Sequence, residues 1–204
     1  MSFLSGTATI THSTPIPLPA RHSATAVAVL HDHLFFLRCD PHYTSHAVLP
    51  SPGEAGGEDV QIPEDVQRAL LASRKEGGQG EGGKGKVKVY EVTDHVPNPV
   101  WSSTVVSREE FADLQTGLWV RLKSVLGVVM ETTWVIEEGG GGEEEGKGGD
   151  GEGKGELRLK EVVNVSCSRV LLPIVKSQVE GGWKGIHEKM VRRMVEDAEK
   201  GEGK

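Results

Sequence analysis

The C-terminal third of the chain combines a strand-like run with one long amphipathic helix. Residues 157–167 alternate apolar and polar side chains, which is typical of a half-buried strand. Residues from about 169 to 200 predict a helix with one apolar stripe. The stripe consists of Leu171, Val175, Val179, Trp183, Ile186, Met190 and Met194. Because a long helix with one apolar face must bury that face, we expect it to lie across a sheet.

Earlier segments predict that sheet and a few further helices. β-branched residues and alternation predict strands, and helical spacing or a proline at a helix start predicts helices. The predicted strands are 7–11, 86–93, 101–106, 118–123 and 128–136, and the predicted helices are about 20–37 and 63–75. We expect the first strand to end at Pro15, Pro17 and Pro19. Residues 42–62 are expected to be turn-rich. The polar residues 107–117 are expected to separate two strands.

Two segments rich in glycine and glutamate interrupt this pattern, at about 76–86 and 137–156. Neither can bury enough apolar surface to offset the entropy of ordering, so both are expected to be disordered surface insertions. The segment 137–156 carries most of the net charge of −7. The remaining residues predict a single α+β domain over 1–204, with a curved antiparallel meander sheet packed on the long C-terminal helix.

Composition argues against several classes of protein. The chain lacks the concentrated basic patch of a nucleic-acid binder, and no apolar run approaches the length of a membrane span. No N-terminal segment resembles a secretion signal, and Cys39 and Cys167 are far apart in sequence, which predicts a cytoplasmic protein with free thiols. The oligomeric state is left open.

Five stretches resemble an uncharacterised family of fungal proteins, a domain of unknown function. They are 10–15 (ITHSTP), 90–94 (YEVTD), 96–103 (VPNPVWSS), 126–132 (LGVVMET) and 179–187 (VEGGWKGIH). The order of elements is also similar to the START-like, or helix-grip, superfamily. That superfamily includes lipid-transfer domains, pollen-allergen-like proteins, polyketide cyclases and co-chaperone domains. The resemblance implies a helix-grip fold with a cavity between sheet and helix, and brings no specific chemistry.

Strand alternation places carboxylates among apolar side chains. Glu161 shares one face of its predicted strand with Leu157, Leu159, Val163 and Val165, and Glu91 shares a face with Val87 and Val89. A carboxylate on an apolar face must be paired, hydrated or neutralised. Glu161 is therefore either a polar group inside a pocket or a strand-end residue that reaches water or pairs with an arginine such as Arg121.

Four more residues are candidates for lining a cavity. In the strand 128–136, a slip of one residue decides whether Glu131 or Trp134 points inward. On the final helix, Trp183 follows Gly181-Gly182 on the apolar stripe, and His187 lies one turn further on. The two glycines suggest a bend or a close approach of the helix to something beneath it. Each of these aromatic and histidine side chains is also compatible with a plain packing role.

The sequence predicts no metal and no cofactor. His31 and His33 are two residues apart on a predicted helix and point away from each other, and Cys39, His42 and His46 add no ligand spacing. The glycine runs lie among acidic residues, where phosphate would be repelled.

We therefore expect a domain that binds or carries a small hydrophobic ligand between the sheet and the C-terminal helix. The candidate site residues are Glu91, Glu131, Trp134, Glu161, Trp183 and His187. Two alternatives remain: a protein-interaction or regulatory module without a small ligand, and an enzyme of the cyclase or dehydratase kind that uses inward carboxylates such as Glu91 and Glu161.

Overall fold

A computed structural model describes residues 5–76, 87–96, 103–139 and 156–203. The strands are β1 (Ser5–Pro19), β2 (Tyr43–Leu49), β3 (Lys88–Val96), β4 (Ser103–Leu114), β5 (Gly117–Ser124), β6 (Val129–Glu138) and β7 (Glu156–Ser168). The helices are α1 (Ser23–His31), α2 (His33–Cys39), α3 (Glu64–Glu76) and α4 (Leu172–Glu202). Within these residues one seven-stranded antiparallel sheet has the order β1-β7-β6-β5-β4-β3-β2. The predicted meander sheet packed on a long C-terminal helix is confirmed.

The sheet buries its two faces against different helices. Its inner face packs against α1, α2 and α4, through side chains such as Phe111, Leu159 and Met194. The outer face of β3, β4 and β5 packs against α3, through Trp119 and Val66. Because successive strand residues point to opposite faces, the parity of a residue in its strand decides which of these two environments it enters.

The first strand does not end at the prolines, and the prediction of a strand over 7–11 was too short. β1 continues through Pro15 and Pro17 to Pro19, paired with β7 along its length. β1 is an edge strand, so only every second residue must donate a backbone hydrogen bond to its neighbour. The side chains of Pro15 and Pro17 are exposed, and the register between β1 and β7 shifts between Ile16 and Pro19, so this end of the ladder accommodates residues without a backbone N–H.

The predicted helix 20–37 is divided in two. A short 3-10 turn at Ala20–His22 precedes α1, and α2 begins directly after Asp32. The side chain of Asp32 accepts a hydrogen bond from the backbone N–H of Phe35, which caps the start of α2. The predicted helix 63–75 is confirmed by α3, whereas the turn-rich region 42–62 contains β2.

The polar residues 107–114 belong to β4, so the predicted separation of two strands over 107–117 was wrong. Glu110 is 1% exposed on the outer face. The Arg121 Nε donates to its Oε2 at 2.6 Å, and the Lys123 Nζ donates to its Oε1 at 3.1 Å. The polar pattern was misleading because these charges neutralise each other across the ladder between β4 and β5.

The long helix α4 has two unequal halves. Its buried side chains, His187, Met190, Met194 and Ala198, all lie in the C-terminal half. Before Trp183 the stripe residues are only half-buried. A Cβ added at Gly181 or Gly182 would meet nothing within 4 Å, so no close approach explains the glycines.

Most of both glycine-rich segments, 77–86 and 140–155, lies outside the described residues. Their predicted disorder stays a prediction. The residues that flank the longer one belong to the sheet: Gly139 N donates to Glu156 O at 2.6 Å, which closes the hairpin between β6 and β7.

Replacing residues 140–155 by a short turn is therefore expected to leave the melting temperature within about 3 °C of the original. The flanking strands are already paired, and loop length changes the closure entropy only slowly. Calorimetry of both proteins would check this. A fall of more than about 8 °C, equivalent to roughly 2 kcal/mol for a domain of this size, would contradict it.

Candidate functional site

Polar and aromatic side chains from four elements meet on the inner face of the sheet. His12 of β1, Glu161 of β7 and Trp134 of β6 are direct cross-strand neighbours. Trp183 and His187 reach the same place from α4, where their rings contact His12 and Trp134. We call these five residues the inner-face cluster.

Glu161 is the centre of the cluster and is 7% exposed. Its Oε2 accepts a hydrogen bond from His12 Nδ1 at 2.8 Å, and His187 Nε2 lies 3.4 Å from the same oxygen. An ionised carboxylate only accepts hydrogen bonds, so His12 donates to it from Nδ1, and in the neutral tautomer of the ring this leaves Nε2 without a proton. Glu161 is thus paired, but with two histidines rather than with Arg121.

The ring of His187 is hydrogen-bonded at one nitrogen and faces Glu161 with the other. Its Nδ1 is 2.8 Å from the hydroxyl of Thr14, the neighbour of His12 on the inner face of β1. If the hydroxyl donates to Nδ1, the neutral ring has its proton on Nε2, which faces Glu161. The approach at 3.4 Å does not have hydrogen-bond geometry, so His187 Nε2 is a buried atom without a hydrogen-bond partner among the described residues.

Aromatic rings enclose the polar atoms. Trp183 is stacked on the ring of His12 with centroids 4.5 Å apart and planes 11° apart. Trp134 lies 5.2 Å from the ring of His187. The Trp134 Nε1 is buried and has no hydrogen-bond partner in the described part of the chain. Since buried N–H groups are nearly always paired, the cluster contains an unused donor.

Two predicted site residues lie elsewhere. Glu91 is exposed on the outer face of β3, opposite Arg108 in the ladder. Glu131 is also on the outer face, 3.4 Å from Arg121. The register of β6 therefore points Trp134 inward and Glu131 outward. Glu91 shares a face with Val87 and Val89 as expected, but that face packs against α3 and not against α4.

Sequence reasoning missed His12 and Thr14 as members of the site. Both alternate with Ile10 and Ile16 on the buried side of β1. That signal was present in the sequence, but the first strand was expected to end at Pro15 and its faces were not distinguished.

A second polar region lies on the inner face near β3 and β4. Burial and, to a smaller extent, the charge of Asp94 raise the pKa of Glu109 to about 8, although a hydrogen bond from Ser107 at 3.3 Å opposes both effects. Burial, with the charge of Asp40, raises the pKa of Asp94 to about 6. At neutral pH Glu109 therefore holds a proton.

The histidines near α1 and α2 have structural partners. His31 Nε2 is within 3.1 Å of the carbonyl oxygens of Leu114 and Gly117, which ties α1 to the turn between β4 and β5. His33 contacts Tyr90 OH and Asp113 Oδ1 at 3.1 and 2.8 Å. Among the described residues, no group of three or more histidine, cysteine or acidic side chains has a metal-binding arrangement.

The surface carries a shallow depression, and it is not on the inner face. Its volume is about 250 Å³, and Thr7, Thr9, Glu131, Asn164 and Ser166 contribute outward-facing side chains to it. The inner face beneath the C-terminal half of α4 is filled with core side chains. None of the described helices is both long and apolar enough to cross a bilayer.

Solved structures with the same architecture identify the fold. A point mutant of norcoclaurine synthase from Thalictrum flavum, in complex with a transition-state analogue, has a TM-score of 0.51 at 14% identity, covering 96% of this chain and 98% of that chain. The Zhui aromatase/cyclase from Streptomyces sp. R1128 has a TM-score of 0.50 at 13% identity, covering 93% and 94%. This chain is similar to both in fold, and it is a helix-grip protein.

The family follows from the sequence itself. A model of DUF7053, a domain of unknown function, matches residues 5–200, and the chain belongs to this family. No curated protein matches the chain. The fungal origin that the resemblance implied stays a prediction.

The raised pKa of Glu109 predicts how the free energy of unfolding depends on pH. Its folded-state pKa of about 8 lies above the ordinary 4.5, so the folded state binds more protons than the unfolded state between these values. Stability should fall as pH rises through this window, by up to about 1.4 kcal/mol per pH unit.

In Glu109→Gln the free energy of unfolding is expected to decrease less as pH rises, because the amide has no charge to bury. Urea unfolding between about pH 5 and pH 8 would measure it, with Glu91→Gln as the exposed control. An unchanged pH dependence in Glu109→Gln would assign the effect to another group.

Proposed function

We propose that this protein binds a small, largely apolar molecule between the inner face of the sheet and the half-buried N-terminal half of α4, with a polar group of that molecule at the inner-face cluster. The observation that carries this proposal is the buried and unpartnered Nε1 of Trp134 beside Glu161 and His187. An indole N–H without a partner costs free energy unless an acceptor binds it. The helix-grip fold supports the proposal, since one solved neighbour is a synthase in complex with a transition-state analogue.

The cluster defines the chemistry of the molecule. Trp134 and Trp183 offer apolar ring surface, and pockets for small ligands combine such surface with a few polar groups. Trp134 Nε1 offers a hydrogen-bond donor, whereas the bare Nε2 of His12 accepts one. A molecule with a planar apolar body and a hydroxyl group, which both accepts and donates a hydrogen bond, matches both atoms.

Trp134→Phe is expected to weaken binding about five- to tenfold, because phenylalanine keeps the ring surface and removes the donor. The measurement has two parts. Native mass spectrometry of protein purified from its own host would find the copurified molecule, and fluorescence titration with anilinonaphthalene sulfonate would give affinities. Trp119→Phe, a buried tryptophan on the outer face, is the matched control.

Two results would contradict the proposal. One is purified protein that carries no small molecule and does not bind the fluorescent probe. The other is an equal loss of affinity in Trp134→Phe and Trp119→Phe, which would mean that binding does not involve the inner face.

The hydrogen bond between His12 and Glu161 favours a second candidate function, proton abstraction from the bound molecule. A carboxylate on Nδ1 orients the imidazole and stabilises its protonated form, which leaves Nε2 as the base. Trp183 covers the face of the ring and not the edge that carries Nε2. No described residue forms a hydrogen bond with that nitrogen. In this function Glu161 would be a positioning residue, and His12 would be the base.

Nitrobenzisoxazole, a planar apolar carbon acid, is a suitable probe for such a base. His12 Nε2 would take the proton of the ring C–H, the electron pair would form the nitrile, and the N–O bond would break to give a coloured phenolate. His12→Gln is expected to lower kcat/KM about 100-fold. Glu161→Gln should lower it less and move the pH–rate profile to lower pH. If the protein binds the probe but its turnover does not depend on His12, the proton-abstraction function is excluded. The proposal of ligand binding would then still stand.

A further inference from the structure

The long helix α4 packs on two separate apolar clusters, and it changes from one to the other near its middle. In its N-terminal half, Val175 and Val179 pack against a cluster that contains Val163 of β7. Its C-terminal half, from Ile186 onward, packs in the main core together with α1 and α2. Each half of the helix is therefore buried by a different group of side chains.

Three glycines lie at this change of cluster. A Cβ added at Gly181, Gly182 or Gly185 would meet nothing within 4 Å among the described residues outside its own stretch of helix. By contrast, a Cβ added at Gly117 would clash with the carbonyl oxygen of Trp134. Packing thus requires glycine at position 117 and does not require it in the helix. Because glycine weakens a helix relative to alanine, the three glycines make α4 easiest to bend at the boundary between its halves.

The two halves of α4 also differ in their polar contacts. In the C-terminal half, His187 Nδ1 is 2.8 Å from the Thr14 hydroxyl of β1, and Lys189 Nζ donates to the carbonyl oxygen of Cys39 at 3.0 Å. In the N-terminal half, the ion pair between Lys176 and Glu180 stays within the helix. The C-terminal half is therefore fastened by polar and apolar contacts, whereas the N-terminal half rests on the sheet through apolar contacts.

Two unpaired nitrogens of the inner-face cluster lie beside the glycine segment. Trp134 Nε1 and His187 Nε2 are buried and have no hydrogen-bond partner among the described residues. Trp183, between the glycines, is stacked on the ring of His12 and lies 5.1 Å from the ring of His187. Because both nitrogens are buried, a molecule reaches them only when an element that covers them moves. The N-terminal half of α4 is the covering element with the weaker attachment.

We propose that the segment 181–185 is a hinge and that residues 172–180 of α4 form a lid over the inner-face cluster. The structure has this lid closed. Opening would break the backbone hydrogen bonds that cross the glycines, withdraw Trp183 from His12 and uncover the apolar surface around Val163. The role of the lid as a gate rests on the proposed function, since a gate matters only if a molecule enters the site. The hinge itself can be measured without a ligand.

Hydrogen exchange of the full chain tests the hinge. The amides of residues 182–186 donate across the glycines, because an α-helical N–H bonds to the carbonyl oxygen four residues earlier. We expect these amides to exchange faster than those of residues 190–198. Gly181→Ala with Gly182→Ala should slow exchange at 182–186 about tenfold, since alanine favours the intact helix at both positions. Gly201→Ala is the matched control, because its Cβ also meets nothing within 4 Å and it lies in the same helix outside the hinge.

Stopped-flow fluorescence with anilinonaphthalene sulfonate tests the gate. If the lid must open both for entry and for release, the double variant lowers the association and dissociation rate constants of the probe by the same factor, about tenfold. The Kd of the probe should then stay unchanged, because the closed free and closed bound states are stabilised equally. A plain packing role of the glycine segment would change the Kd and would not slow both rate constants together.

Slower exchange at the hinge together with slower entry and release of the probe, in the double variant and not in Gly201→Ala, would support the inference. Unchanged exchange at 182–186 in the double variant would overturn the hinge. Slower exchange with unchanged probe rates would overturn the gate and leave the proposal of ligand binding standing. A chain that opens at the hinge and binds no probe would contradict the proposed function, and the gate would be overturned with it.

Discussion

The carboxylate of Glu161 is the point on which the inner half of the structure depends. It joins the edge strand β1, the neighbouring strand β7 and the final helix α4 through the two histidines His12 and His187. A buried carboxylate without partners would cost several kcal/mol. The position of α4 over the sheet is therefore set by polar contacts as well as by Met190 and Met194, and a shift of the helix by one turn would leave Glu161 with His12 alone.

The molecule treats its buried carboxylates in different ways. Glu110, on the outer face, is neutralised by Arg121 and Lys123 across the ladder. The charged partners of Glu161 among the described residues are His12 and His187, and neither of them is a lysine or arginine. Glu109 has no cation among its partners and instead retains its own proton. Only the last two face the inside of the helix grip, so these two carboxylates and the proposed ligand site share one side of the sheet.

Much of this arrangement follows from sequence periodicity. Alternation in 157–167 put Glu161 on the apolar face and the helical stripe put Trp183 towards the sheet, and the structure has both there. His187 was a candidate only because it lies one turn after Trp183. Periodicity describes one element at a time, however, and it gives no information about which helix covers which face. For that reason Glu91 was assigned to the inside although its face packs against α3.

The remaining errors have a common cause, which is compensation between elements distant in sequence. Residues 107–114 looked like a loop because their charges are balanced by Arg121 and Lys123 on another strand. The prolines of β1 were expected to end the strand because proline has no backbone N–H. That loss matters only where a neighbouring strand needs the donor, and β1 is an edge strand. The position of His12 beside Glu161 depends on a pairing of residues 149 positions apart.

Those prolines have a consequence for how the protein behaves in a crowded solution. An open sheet exposes two edges, and an exposed edge recruits strands from other chains. Pro15 and Pro17 have no N–H to donate near the C-terminal end of β1, so a foreign strand can form a continuous ladder only along the preceding residues. Their side chains are exposed, and exchanging them for threonine would alter few contacts within the fold. It would lengthen the edge that is competent to aggregate, so selection on these positions would act on solubility while stability stays nearly constant.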